Sequence, residues 1–261
     1  TPPALVQPVL PSWVTVPLGS RKMRVLALHG RLSNMGVMKF QIAPLKKELG
    51  KEVEWLLLEA PMLWDQEGPH PDDPGSVPSS PTDLEVRLAQ GKPFRRWYAI
   101  EPPDAPGSQG GQRTGVLQMY KFVEEAVSSL KVFLQEHAPI DVIVSFSQSS
   151  TLVSMLLATL QREMAPVSWR LNVFFCGGWI RDQAYAFAEH ASQPTIQISG
   201  GASDPFFPGG EPSLAPQYTD LLRIEHDDGH AFPVTQPRAS EIYAQVAAEM
   251  WRRCGYKRAS A

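Results

Sequence analysis

At 261 residues, 43% apolar and 20% charged, the chain has the composition of one globular domain, long enough to bury roughly 70–75% of its unfolded surface, which excludes disorder throughout. Its 24 basic and 27 acidic side chains sum to −3 with histidine neutral, a balance that argues against a nucleic-acid partner because it supplies no field to clamp a phosphate backbone. Two cysteines, Cys176 and Cys254, are too few for a disulfide framework or a thiolate zinc cage, and no apolar run approaches the roughly 20 residues of a bilayer span, so a cytoplasmic protein is expected.

In chain order, five prolines in the first 17 residues predict an extended Pro-rich leader over 1–22, ahead of a domain covering 23–261. Met23–Leu28 is a short apolar run ending in His29-Gly30, as a buried parallel strand would be. A helix is expected over 35–49, stopped by Gly50, and Val53–Leu58 is the next strand. Ten prolines between Pro61 and Pro106 mark an insertion, about 61–113, that should hold no regular helix or sheet and serve as a lid. Leu117, Tyr120, Val123, Val127, Leu130 and Leu134, at steps of three and four, predict an amphipathic helix over 116–136. Strands are expected at 141–145, 171–176, 195–199 and 221–225, with helices over 147–162 and 239–252. Strands alternating with helices predict an α/β fold, a mostly parallel sheet covered on both faces.

In such sheets ligands sit beyond the carboxyl ends of the strands. Three endings carry chemistry: Ser145-Phe146-Ser147-Gln148-Ser149, Gly201-Ala202-Ser203-Asp204, and His226-Asp227-Asp228-Gly229-His230. A strand turning directly into a helix around a serine is a nucleophile elbow, and Ser, Asp, His is the chain order of α/β-hydrolases. Ser147 is the candidate nucleophile and His230 the base that takes its proton; Asp204 would orient the imidazole, with Asp227 and Asp228 as rivals. The backbone N–H groups of Gln148 and Arg31 are placed for an oxyanion hole.

These endings, with Leu28-His29-Gly30, Leu58-Glu59-Ala60-Pro61 and Arg96-Trp97-Tyr98, resemble the FSH serine hydrolases of the α/β-hydrolase superfamily over about 24–251. The resemblance implies a cofactor-free esterase or thioesterase acting on a small-molecule acyl ester or thioester, with a triad on Ser147, Asp204 and His230. The family elbow reads Gly-Phe-Ser-Gln-Gly, so Ser145 and Ser149 each add a side chain to a tight turn, which predicts a slightly displaced elbow. Asp228, in place of a family glycine, is positioned to perturb His230 or compete for its N–H.

Simpler readings stand beside these. Those two serines could record a lost activity, leaving a hydrolase-like binding module. His226 and His230, four apart, would suit a metal only on a helix, and no metal site is expected. His29 reads as a structural prop of the oxyanion loop. Trp64, Trp97, Tyr98, Phe206 and Phe207 are candidates for an acyl pocket, while core packing explains them equally well. Trp179 is undecided in the same way, and Arg95 and Arg96 could anchor the insertion or meet an anion. The sequence leaves the oligomeric state open.

Overall fold

The computed structural model describes residues 21–64, 80–100, 120–207 and 210–256. The predicted leader, apart from Arg21 and Lys22, and much of the predicted insertion lie outside them. Six parallel strands form the central sheet: β1 (Met23–Leu28), β2 (Val53–Leu58), β7 (Val142–Phe146), β8 (Leu171–Phe175), β9 (Thr195–Ser199) and β10 (Leu221–Glu225). Their order is β10-β9-β8-β7-β1-β2. The chain enters at β1, moves outward to β2, and then crosses back to build the rest from β7, so the topological switch point lies between β1 and β7.

Successive strand residues point to opposite faces, and two cores follow. Val25, Ala27, Val144, Val173 and Phe175 pack with Leu45 and Leu49 of α2 (Ala43–Leu49) and with Ile242, Val246 and Met250 of α6 (Arg238–Cys254). Leu26, Leu28, Ile143 and Phe174 pack with Val127 and Leu130 of α4 (Val123–Glu136) and with Leu152 and Leu156 of α5 (Gln148–Arg162). This is the expected α/β-hydrolase architecture. Among the described residues no helix is long and apolar enough to cross a membrane.

Three expectations are corrected. The helix over 35–49 is two, α1 (Met35–Gln41) and α2, because Pro44 has no N–H for the fourth preceding carbonyl and its ring clashes there; the chain restarts with Pro44 in the first turn. The helix over 116–136 starts only at Val123, since Tyr120–Lys121 (β6) pairs with Ala99–Ile100 (β5) and Phe122 takes a left-handed φ of 63°; Leu117 lies outside the described residues. The insertion does contain regular structure. Met62–Leu63 (β3) pairs with Arg95–Arg96 (β4), and Asp83–Ala89 is a helix, α3. Thr82 and Glu85 form a full capping box at its start, a Thr-x-x-Glu signal readable in the sequence despite the surrounding prolines. Whether the insertion acts as a lid lies outside the described residues.

Candidate active site

Ser147 stands between β7 and α5 with φ 53° and ψ −117°, a strained conformation of the kind concentrated at functional sites. Its N–H donates to Phe175 O at 2.8 Å. A glycine on the neighbouring strand's loop approaches it closely: a Cβ on Gly177 would sit 2.4 Å from Ser147 O. Ser154 Oγ, on α5, fixes that loop by donating to Gly178 O at 2.6 Å.

The two elbow serines are built in as hydrogen-bonding groups. Ser149 Oγ lies 2.9 Å from both Leu28 O and Phe146 O and accepts from Phe146 N at 3.0 Å; Ser145 Oγ pairs with Ser150 Oγ at 2.9 Å. Both serines are fully buried. The Ser149 hydroxyl thereby ties the elbow to β1, and the Ser145 hydroxyl ties it to α5. Ser147 Oγ lies 2.8 Å from His230 Nε2.

Asp204 follows β9 through a short 3-10 turn, Gly201–Ser203, and His230 follows β10. The two loops meet backbone to backbone, since a Cβ on Gly200 would fall 2.0 Å from Gly229 O, and Gly229 has φ 69°. That approach puts His230 Nδ1 2.8 Å from Asp204 Oδ2, while Asp204 Oδ1 accepts from Phe206 N at 2.8 Å. The Asp204 carboxylate is fully buried, and the rings of Phe146 and Phe206 lie 5.3 and 4.4 Å from the imidazole, shielding it from water. The rivals point elsewhere. Asp228 accepts from Val234 N, Thr235 N and Thr235 Oγ1, so it braces its own turn and does not compete for His230. Asp227 holds Ser203 through its backbone carbonyl.

His226 Nδ1 accepts from Asp228 N, and His226 is not among the donors that cluster with His230 in the described residues. Among the described residues the clustered donor atoms are those of Cys176, Asp204 and His230. Burial pushes the Cys176 thiol well above its usual range.

On the β1 side, His29 is the expected prop. It is buried, with Nδ1 2.7 Å from Gly30 O and Nε2 3.1 Å from both Ala60 N and Glu59 Oε1. A connection that sequence reasoning missed joins this loop to the elbow. The Gln148 side chain accepts from Trp97 N at 2.8 Å and donates to Tyr98 O at 2.9 Å, and Trp97 Nε1 donates to His29 O at 2.7 Å. Of the two readings open for Trp97, core packing describes its place: its indole is fully buried in the second core, and its N–H donates to the loop after β1. Trp64 also stays off the cleft wall, stacked under the Arg31 guanidinium at 4.3 Å. Arg95 anchors its segment by donating to Ala60 O and Pro61 O. Tyr98, Phe206 and Phe207 do line a cleft of about 250 Å³ that opens on Ser147 and His230, joined by Tyr120, Trp179 and two arginines, Arg31 and Arg181.

Glu211 is a buried acid near this site that no sequence signal marked. It is 1% exposed, and among the described residues neither carboxyl oxygen has a hydrogen-bond partner. Burial, with a smaller contribution from the Asp204 charge, pushes it well above the usual carboxylate range. An acid of this kind keeps its proton in the fold at pH values where the unfolded chain has lost it. The stability it contributes is thus complete below the ordinary carboxyl range and declines as pH rises through the folded value. Glu211→Gln should flatten the fall of Tm between pH 5 and 8 and raise Tm at pH 8, by about 2–4 °C for each kcal/mol regained. Thermal melts across that range check this, and an unchanged slope would contradict it.

Comparison with known proteins adds three findings. The profile of a family described as serine hydrolase (FSH1) matches residues 19–242. Esterase CG5412 of Drosophila melanogaster is 23% identical over 83% of this chain and 70% of its own, and Esterase FUS5 of Gibberella fujikuroi is 25% identical over 91% of each chain. The crystal structure of a Bacillus cereus carboxylesterase shares the fold, with a TM-score of 0.52, 13% identity, and coverage of 88% of this chain and 89% of that one.

Proposed function

Since this chain belongs to the serine hydrolase (FSH1) family, we propose that it hydrolyses carboxylic esters or thioesters through an acyl-enzyme on Ser147. The observation that carries the reading is the unbroken relay from the buried Asp204 carboxylate through His230 to Ser147 Oγ, with 2.8 Å at each step. A serine hydroxyl is a weak nucleophile at neutral pH. His230 Nε2 takes the Oγ proton as Oγ attacks the acyl carbonyl, and Asp204 fixes the tautomer and stabilises the imidazolium. The proton then passes to the departing alcohol or thiol, and a water molecule repeats the attack to release the acid.

The developing oxyanion needs fixed N–H donors. Ser147 N is committed to Phe175 O, which leaves the amide of Gln148 as the first donor of α5. It sits at a helix N-terminus, where amides lack partners within the helix and the helix dipole favours negative charge. Arg31 N, on the loop after β1, is the second donor. The Gln148–Trp97–His29 bonds hold the two loops in register. Tyr98, Phe206 and Phe207 form the acyl-binding wall. No step calls for a cofactor or a metal. The binding-module alternative rests on Ser145 and Ser149, and the buried hydrogen bonds by which both brace the elbow support the catalytic reading over it.

The test is turnover of a panel of p-nitrophenyl esters and acyl thioesters of increasing chain length, with and without EDTA. The expected result is saturable hydrolysis of at least one series, unaffected by the chelator. A folded protein inert across the whole panel would contradict the proposal.

A further inference from the structure

Arg181 is a charged cleft residue that this mechanism leaves without a task. It lies on the loop after β8, half-buried, with its guanidinium carbon 4.9 Å from the Phe207 ring centroid, and Phe207 in turn lies 6.5 Å from His230. Arg181 makes no hydrogen bond or ion pair among the described residues. Glu211 is a buried acid within electrostatic reach of it; burial pushes that carboxyl well above the usual range, and the Arg181 charge opposes this only as a smaller contribution. Arg31 adds a second guanidinium to the same wall, and Glu85 of α3 is the one carboxylate lining it among the described residues.

A half-desolvated guanidinium in an aromatic-walled cleft is costly unless an anion meets it, and its planar fork matches a carboxylate or phosphate with two parallel hydrogen bonds. Stacking on Phe207 holds the fork in place and lowers the entropy lost on binding. A purely apolar acyl chain would gain nothing from such a residue and would lose by desolvating it.

We infer that the cleft selects acyl esters or thioesters that carry an anionic oxygen group, recognised by Arg181. The group could reside on the acyl chain, as the free carboxylate of a dicarboxylic acid, or on the leaving group, as the phosphate of a phosphorylated thiol. The inference rests on the hydrolase reading for the identity of the substrate but not for the binding event, and the two are separable.

Binding is measured on Ser147→Ala protein, so that no ligand is consumed, with three thioesters: hexanoyl N-acetylcysteamine, which is neutral; monoadipoyl N-acetylcysteamine, with an acyl-side carboxylate; and hexanoyl phosphopantetheine, with a thiol-side phosphate. At least one charged thioester should bind about tenfold more tightly than the neutral one, and which does so locates the anion. Adding Arg181→Met should remove the advantage, while Arg181→Lys, which keeps the charge and loses the fork, should retain part of it, with circular dichroism confirming the fold of each variant. Equal affinities, undetectable binding of both charged ligands, or an advantage that survives Arg181→Met would overturn the inference. Wild-type turnover of all three thioesters reports on the hydrolase reading separately: hydrolysis without charge preference sinks only the inference, and charge preference in binding without hydrolysis of any of the three sinks only the reading.

Discussion

Replacing Ser147 with alanine is expected to lower kcat for any ester the protein hydrolyses by about 10⁶-fold, while leaving KM within a few-fold and the thermal transition near that of the parent. The size follows from the role: without Oγ no acyl-enzyme forms, and what remains is the rate that oxyanion donors and substrate positioning lend to direct attack by water. Stability should change little. The strained backbone at 147 is imposed by Phe175 O, by the contact with Gly177, and by the Ser149 bonds to β1, and none of these uses Ser147 Oγ. Steady-state kinetics together with a melting curve separate the two effects. A loss of activity that tracked a loss of folded protein would assign Ser147 a structural role instead.

The second large effect distinguishes the aspartates near His230. Asp204→Asn should cost about 10⁴-fold in kcat, because the amide can present its NH₂ to Nδ1 and stabilise the tautomer whose Nε2 carries the proton, leaving no base for Ser147 Oγ. The carboxylate it replaces is fully buried and also holds Phe206 N, so some loss of stability should accompany the change. Asp228→Asn should leave kcat within about threefold, since that side chain serves Val234 N, Thr235 N and the Thr235 hydroxyl. Its effect belongs in the melting temperature. Kinetics of the two variants on one substrate decide the matter, and a comparable loss of kcat in both would mean that the aspartate roles are shared or exchanged.

How much of this was legible in the sequence depended on whether a signal was local. The strands of the central sheet read as short apolar runs because a parallel sheet covered on both faces demands them, and the elbow, Asp204 and His230 are legible as residues on the segments that follow strands. Other features depend on contacts between distant segments. Nothing near Gly177 or Gly200 announces that a side chain there would strike Ser147 or Gly229. Trp97 and Phe206 are both aromatics near the site; only the fold sends one into the core and the other to the cleft. The clamp formed by the Gln148 side chain joins residues some fifty positions apart. Glu211 lies in a polar segment with no hint of burial. The helix at Asp83–Ala89 is a different case: its Thr82–Glu85 capping box is a local signal in the sequence, set among prolines that predict irregular chain.

The central claim is that Ser147 Oγ is a nucleophile activated by His230. A fluorophosphonate probe tests it most directly, since it phosphonylates only a serine made reactive by its surroundings and needs no knowledge of the natural substrate. Intact mass followed by peptide mapping should find a single adduct, on Ser147, that is absent from Ser147→Ala. Absence of labelling from pH 6 to 9 on folded protein, or an adduct on another residue, would contradict the account.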